Sequence, residues 1–164
     1  MLSDIEYTGA GAMNLELAAL VRRHVEAENA QNLEATLATL HPECRFEDHA
    51  TGQVWHGRDG AAAHYRQWWT TFDVTVKREP GQIAAWTDDD GYIGEATWRG
   101  HHVGPFLGLA PTKRPVIIPF VVVLGFRDGL MLSEGFHYDL ASLLRQIGGE
   151  PIQALSGLPY RAAA

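Results

Sequence analysis

Two acidic residues, Glu134 and Asp48, occupy positions where a buried carboxyl group is expected. Glu134 alternates with Phe136 and Tyr138 along one predicted strand, and Asp48 alternates with Phe46 along another. Because strand side chains point to the two faces in turn, each acid shares a face with aromatic residues. Loss of water raises the pKa of a carboxyl group, which suits an acid or base near neutral pH. We predict that both acids are catalytic and face one pocket. The alternative for each is a buried acid that pairs with an arginine or caps a turn.

His102 is the third predicted catalytic residue. It stands in a Gly100-x-His102-x-Gly104 loop and shares its alternation with Trp98. A histidine beside a pocket can relay a proton, orient a carboxylate or polarise a carbonyl group. Its alternative role is to stabilise the loop by hydrogen bonds.

Metal and cofactor sites have no sequence signature in this chain. Its eight histidines show no H-x-x-x-H or H-x-H ligand spacing with nearby acids. Phosphate-binding glycine loops, G-x-S-x-G elbows and dinucleotide fingerprints are also missing. We therefore predict chemistry without a metal or cofactor.

Aromatic side chains on the same faces are predicted to contact a small hydrophobic molecule. A third predicted helix carries several of them at helical spacing, which forms a broad aromatic face. Core packing is the alternative role for each ring. The predicted substrate-binding residues are Phe46, Tyr65, Trp69, Trp98, Phe136 and Tyr138.

The elements that hold these residues follow from periodicity and capping signals. Helices are predicted from Asn14, from Asn32 to just before Pro42, from Asp59 or Gly60, and over Leu140–Ile147 between Asp139 and Gly148. Strands are predicted at Arg45–Ala50, Val74–Arg78, Ile83–Trp86, Tyr92–Arg99 and Val116–Phe126, followed by one that ends at Tyr138. Few βαβ units appear, so the order predicts an α+β fold with an antiparallel sheet.

Length and charge limit the class of protein. The chain has 164 residues, of which 46% are hydrophobic, and this suits one domain. We place that domain at residues 14–148, after a flexible leader (1–13) and before a C-terminal tail (149–164). A formal charge of −7 argues against nucleic acid or an anionic membrane as a partner. A single cysteine, Cys44, excludes an internal disulfide and favours the cytoplasm.

The segment Val116–Phe126 is apolar at nearly every position. It is too short to span a bilayer, and Pro119 interrupts it. An antiparallel strand with one face in water should alternate, so its second face needs a cover. We predict a homodimer formed through this face of the sheet.

Several different short motifs lie in the second half of the chain. They are Gly100-x-His102-x-Gly104, Phe106-Leu107-Gly108, Pro111-Thr112, Asp128-Gly129 and Tyr138-x6-Arg145-Gln146-x-Gly148, with a fainter similarity back through Gly57-Arg58-Asp59-Gly60. Together these spacings resemble the SnoaL-like polyketide (ester) cyclases of the NTF2-like superfamily. The resemblance implies a cone, in which a curved antiparallel sheet wraps around three N-terminal helices and encloses one pocket, with a short C-terminal helix.

The resemblance also implies a reaction, cofactor-free aldol closure of a polyketide ester, with an acid/base Asp on the final strand. Matching Arg145-Gln146-Ile147-Gly148 to the family places that Asp at Phe136, which cannot transfer a proton. Glu134 is the nearest replacement on the same face, and Asp48 is the other. Our hypothesis is acid/base chemistry on a hydrophobic carbonyl or polyketide-like substrate, by a cyclase, isomerase, dehydratase or hydrolase. The rivals are a non-catalytic binding protein, which Phe136 favours, and an interaction module that dimerises through its sheet.

Overall fold

The structure, a computed structural model, describes residues 14–87 and 89–150. The predicted leader (1–13) and all but the first two residues of the predicted tail lie outside this part of the chain. The helices are α1 (Leu15–Asn29), α2 (Leu33–Ala38), α3 (Gly57–Phe72) and α4 (Leu140–Ile147). The strands are β1 (Leu40–Asp48), β2 (Gln53–His56), β3 (Thr75–Lys77), β4 (Ala84–Trp86), β5 (Tyr92–His101), β6 (Pro115–Arg127) and β7 (Leu130–Tyr138).

All seven strands belong to one sheet, with α1, α2 and α3 preceding most of it in the chain. The order is β2-β1-β7-β6-β5-β3, and β4 pairs with β5 beside β3. Every pairing is antiparallel except that of β1 with β7, which is parallel. The α+β class and the curved sheet are confirmed, and the prediction of a wholly antiparallel sheet is wrong at this one pair. Parallel strands need a long connection, and here most of the domain lies between β1 and β7.

Local capping signals placed the helix ends well. The Asn14 side chain accepts hydrogen bonds from the amides of Glu16 and Leu17, at 3.1 and 3.2 Å. Asn32 and Asp139 cap α2 and α4 in the same way. At the end of α4, Gly148 has φ of 87°, the left-handed conformation that glycine adopts without strain.

The region around β1 differs from the prediction. Helix α2 ends at Ala38, and Leu40 begins a strand that runs through Pro42. The proline is tolerated because the pairing of β1 with β7 is irregular between Leu40 and Arg45. Strand β2 was missed altogether, and α3 begins at Gly57, before the predicted Asp59 or Gly60.

The core lies between the inner face of the sheet and helices α1, α3 and α4. Helix α4 buries Leu143, Leu144 and Ile147 completely. The Gln146 amide from the same helix exchanges two hydrogen bonds with the backbone of Ile117 in β6, at 2.8 and 3.0 Å. Within the described residues, no helix is long and apolar enough to cross a membrane.

Candidate active site

A cavity of about 760 Å³ opens between α1 and the inner face of the sheet. Its wall is mostly apolar, with Val21 and Val25 from α1 and Trp86, Trp98 and Leu124 from the sheet. Polar side chains enter the wall at His24 and Glu28 from α1, Arg78 after β3, and Glu134 from β7. An apolar cavity with a few convergent polar groups is the usual form of a small-molecule site.

Glu134 is buried in this wall, with a side chain only 9% exposed. Its neighbours in the sheet are Leu124 of β6 and Phe46 of β1. Burial raises the pKa of Glu134 well above its ordinary value, and the charge of Glu28 raises it further, whereas a hydrogen bond from Tyr65 opposes both.

Behind Glu134, a hydrogen-bonded chain runs through Tyr65 and His24 to Thr39. The Tyr65 hydroxyl lies 3.0 Å from His24 Nε2 and 3.4 Å from Glu134 Oε2. His24 Nδ1 lies 2.7 Å from the Thr39 hydroxyl, which itself reaches the carbonyl oxygen of Thr36 at 2.6 Å. All these groups are buried, and burial lowers the pKa of His24 to about 4, so its imidazole is neutral near pH 7.

The protons in this hydrogen-bonded chain can be arranged in two ways that have the same total charge. In one, Thr39 donates to Thr36, His24 donates from Nδ1 to Thr39, and Tyr65 donates to His24 Nε2. Glu134 then bonds the Tyr65 oxygen only if it carries a proton on Oε2. In the other, Thr39 donates to His24 Nδ1 instead of to Thr36, His24 donates from Nε2 to Tyr65, Tyr65 donates to Oε2, and the proton of Glu134 moves to Oε1. The chain can thus hold a neutral Glu134 whose Oε1 either accepts or donates.

Glu28 is a second carboxyl group in the wall that our sequence reasoning did not name as catalytic. It is half-buried on α1, one turn after His24, and burial raises its pKa to about 7. The signal was present in the sequence, because the apolar stripe of α1 ends in His24 and Glu28. Polar residues that continue an apolar stripe point into the core or a cavity, and here they point into the cavity.

Asp48 is buried on the inner face, but it is not among the residues that line the cavity. Its Oδ1 accepts hydrogen bonds from the amides of Ala50 and Thr51, both at 2.9 Å, and Oδ2 accepts one from the Tyr138 hydroxyl at 2.9 Å. Burial raises the pKa of Asp48, and these hydrogen bonds oppose the rise. Of the two acids that we expect to face one pocket, Glu134 lines the cavity, whereas Asp48 caps the turn that follows β1.

His102 also lies outside the cavity wall and holds a loop together. Its Nδ1 lies 3.1 Å from the Thr112 hydroxyl, and its backbone bonds Lys113 and Arg114 across the loop. The pKa of His102 is lowered, mainly by burial. This placement matches the loop-stabilising alternative rather than a catalytic one.

The predicted aromatic contacts divide between the wall and the layer behind it. Trp98 and Phe136 line the cavity. The other four lie outside the lining: Phe46 stacks on Phe136, Trp69 stacks on Tyr65, and Tyr138 bonds Asp48. The side chains of this second group contact other side chains in the structure, and their contact with a substrate stays a prediction.

Two other features bear on cofactors and alternative sites. Among residues 14–87 and 89–150, no group of three or more histidines, cysteines or acids could hold a metal ion. A more open depression of about 640 Å³ lies beside the start of α1 and the β6–β7 turn, where Arg23, Arg127 and Asp128 line it. It includes neither Glu28 nor Glu134.

Comparison with known proteins agrees with this architecture. The sequence model of the SnoaL-like polyketide cyclase family matches residues 18–147. This chain belongs to that family. No curated protein matches the chain significantly.

Several solved structures share the fold of this chain. A SnoaL-like cyclase described as putative from Jannaschia sp. CCS1 has a TM-score of 0.74 and 23% identity, over 87% of this chain and 98% of that one. A polyketide cyclase, also described as putative, from Pseudomonas putida KT2440 has a TM-score of 0.71 and 18% identity, over 84% and 100%. A Catenulispora acidiphila protein with a ketosteroid isomerase-like fold, solved with trimethylamine, has a TM-score of 0.67 and 23% identity, over 80% and 93%. At these identities the likeness shows the fold alone.

Proposed function

We propose that this protein is a cofactor-free acid/base enzyme that acts on a hydrophobic carbonyl compound. The observation that carries the proposal is the pair of carboxyl groups, Glu28 and Glu134, in one apolar cavity. Burial raises the pKa of both groups, and the charge of Glu28 raises that of Glu134 further. Two such carboxyl groups can divide the roles of acid and base between them.

In this mechanism, Glu28 is the general base. A pKa of about 7 leaves its carboxylate both available and basic near neutral pH. It removes a proton from the carbon next to the substrate carbonyl, and the electron pair moves onto the carbonyl oxygen. Glu134, held neutral, donates a hydrogen bond from Oε1 to that oxygen and stabilises the enolate.

The chain behind Glu134 supports the donor role. When Tyr65 donates to Oε2, the proton of Glu134 is free to point from Oε1 into the cavity. His24 and Tyr65 are positioning residues here, since they act through Glu134. The enolate can then close a ring, isomerise or lose a leaving group, which fits the range of reactions expected from the sequence.

The test uses α-proton exchange, which needs no knowledge of the natural substrate. Hydrophobic ketones such as 2-tetralone would be incubated with the protein in D₂O and followed by ¹H NMR. We expect Glu28→Gln to lose about 10²–10⁴ in exchange rate and Glu134→Gln about 10²–10³. Glu26→Gln, which removes an exposed carboxylate from the same helix and cavity, is the matched control and should keep the parent rate. Equal rates for Glu28→Gln and Glu26→Gln would refute the assignment of the base.

A non-catalytic binding protein is the second candidate, and Phe136 favours it. Phe136 stands where the resemblance puts the acid/base Asp, and it stacks on Phe46 and His64 as part of an aromatic wall. Saturable binding of ketones without any exchange above the buffer rate would support this candidate over the enzyme.

The cellular location remains a prediction. Cys44, the only cysteine in the sequence, is buried and unpaired, which is compatible with the reducing cytoplasm that we expect.

A further inference from the structure

Arg78 is an unusual feature of the cavity wall. It follows β3 directly, and its Nε and Nη2 atoms are shielded from solvent. Neither atom has a hydrogen-bond partner among residues 14–87 and 89–150. A guanidinium group keeps its charge, so burying two of its donors without an acceptor is unfavourable.

Neighbouring acids do not satisfy this guanidinium. Glu79, the next residue, pairs with Arg99 at 3.0 Å and with Lys77 at 4.0 Å. Glu28 has a pKa that burial raises, and no cation contributes to lowering it. Arg78 therefore stands in the wall as a cation without a carboxylate among the described residues.

The direction of Arg78 is set by the backbone before it. The Asn29 amide, at the end of α1, donates to the carbonyl oxygen of Val76 at 2.8 Å and accepts from its amide at 2.7 Å. These two hydrogen bonds fix β3 against α1. Val76, Lys77 and Arg78 all line the cavity, and alternation along an extended chain puts Val76 and Arg78 on the same side.

Because Nε and Nη2 are shielded in this structure, we propose that the Arg78 guanidinium turns toward the cavity and binds a carboxylate group of the substrate through Nε–H and Nη2–H. These two donors lie side by side on the guanidinium and match the two oxygens of a carboxylate. The wall of the cavity is mostly apolar, so the ligand class is a hydrophobic keto acid, with its acid group at Arg78 and its carbonyl near the carboxyl groups of Glu28 and Glu134. The position of the carbonyl group rests on the proposed function, whereas the carboxylate site at Arg78 does not.

Binding of a matched pair of probes tests the proposal without turnover. Isothermal titration calorimetry would compare 2-naphthylacetate with its methyl ester, which has the same rings and lacks the negative charge. The parent should bind the acid at least tenfold more tightly than the ester. Arg78→Gln should lose this preference while its affinity for the ester stays within about twofold.

Lys77→Gln is the matched control, because it removes an exposed positive charge from the same rim. It should keep most of the preference for the acid. Equal affinities for the two probes in the parent, no saturable binding of the acid, or the same loss in both variants would each overturn the proposal. Because no reaction is measured, these outcomes are separate from a failure of the α-proton exchange test.

The melting temperature gives a second test, because it should fall if Arg78 stabilises the fold and rise if its charge is unpaired. Arg78→Met keeps an unbranched apolar stem and removes the unpaired charge. We expect its melting temperature without ligand to be above that of the parent, by about 2–4 °C. A lower melting temperature for Arg78→Met would show that the guanidinium already has partners that hold the fold, and would overturn the proposal.

Discussion

Glu28 and Glu134 face the same cavity, yet their surroundings suit Glu28 to act as a base and Glu134 to act as a hydrogen-bond donor. Glu134 is more deeply enclosed and has a hydrogen-bonded chain behind it, whereas Glu28 is half-buried and has a pKa of about 7. The polar chain to Thr39 leaves each of its buried atoms with a partner, which favours a single arrangement of side chains. The site combines a rigid donor with a base that titrates near neutral pH.

The raised pKa of Glu28 predicts how stability depends on pH. The folded protein holds this proton more tightly than the unfolded chain, whose pKa is near 4.5. The stabilisation is therefore complete below about pH 4.5 and is lost as the pH rises through about 7. Glu28→Gln avoids this loss, so its free energy of unfolding relative to the parent should increase over that window. The gain should reach on the order of 2 kcal/mol at pH 8.

Urea unfolding from pH 4 to 8 measures this difference, with Glu26→Gln as the control. Groups such as His24 titrate alike in both proteins and cancel. A relative stability that does not change with pH would show that the pKa of Glu28 is not raised.

For Asp48, in contrast to Glu28, we predict that removing the carboxyl group lowers stability. Its oxygens satisfy two backbone amides and the Tyr138 hydroxyl, so Asp48→Ala should lower the free energy of unfolding by about 2–4 kcal/mol. Its α-proton exchange rate, measured below the melting temperature, should stay within about threefold of the parent. A hundredfold loss of exchange in a folded Asp48→Ala protein would instead support the catalytic role expected from the sequence.

Alternation along strands identified Glu134, Asp48 and the aromatic faces, because it fixes which side chains point inward. It could not separate the cavity wall from the layer behind it, since both lie on the inner face. The roles of His24 and Tyr65 depend on contacts between residues that are distant in sequence. Tyr65 and Glu134, for example, are 69 positions apart. No local pattern encodes such a contact.

The glycines of the loop Gly100-x-His102-x-Gly104 allow it to pack closely against helix α3. A Cβ atom on Gly100 would meet the carbonyl oxygen of Phe72 at 2.2 Å, and one on Gly104 would meet that of Thr70 at 2.4 Å. The glycines let the loop lie against the end of α3, and His102 then bonds Thr112 across it. This motif, one of several that carry the family resemblance, thus serves to pack the loop against α3.

Alanine substitutions at these glycines test this interpretation. Gly100→Ala and Gly104→Ala should each lower the free energy of unfolding by about 3 kcal/mol or more, because backbone must move. In Gly135→Ala, the control, the new methyl group comes closest to the His49 ring, at 3.1 Å, and is 3.9 Å from the carbonyl oxygen of Val123, so the loss should be under about 1 kcal/mol. Denaturant unfolding that gives equal losses at all three positions would contradict the packing argument.

Helices and strands were largely predictable wherever one local signal dominated. The helix over Leu140–Ile147 has an N-cap, an apolar stripe and a C-terminal glycine, and its predicted bounds are confirmed. Around Pro42 the local signal favoured a helix end, whereas pairing with the distant β7 extended β1 through the proline. The parallel pairing likewise depends on where two remote segments meet.

For the whole molecule, we propose that two copies pair through the outer face of the sheet. Along β6, Ile117 and Val123 are 48% and 40% exposed, while the intervening Ile118 and Phe120 are buried. On neighbouring β5, Ile93 lies opposite Val123 and is 43% exposed. An apolar outer face of this kind favours association in water.

Charge reversal of this face tests the dimer. Val121 and Val123 both alternate away from the buried side chains of β6, so both face outward. We expect light scattering to show a dimer for the parent at micromolar concentration, and a monomer for Val121→Lys and Val123→Lys. A monomeric parent, or dimers from both variants, would exclude this face as the interface.

The proton on Glu134 is central to the proposed site, and ¹³C NMR can observe it directly. The protein would be labelled at the glutamate δ-carbon, the Glu134 signal assigned by its loss in Glu134→Gln, and its chemical shift followed with pH. We predict a midpoint well above the ordinary 4.5, and a further increase in Tyr65→Phe, because the Tyr65 hydrogen bond lowers the pKa of Glu134. A Glu134 signal that titrates near pH 4.5, unchanged in Tyr65→Phe, would contradict the proposed acid/base site.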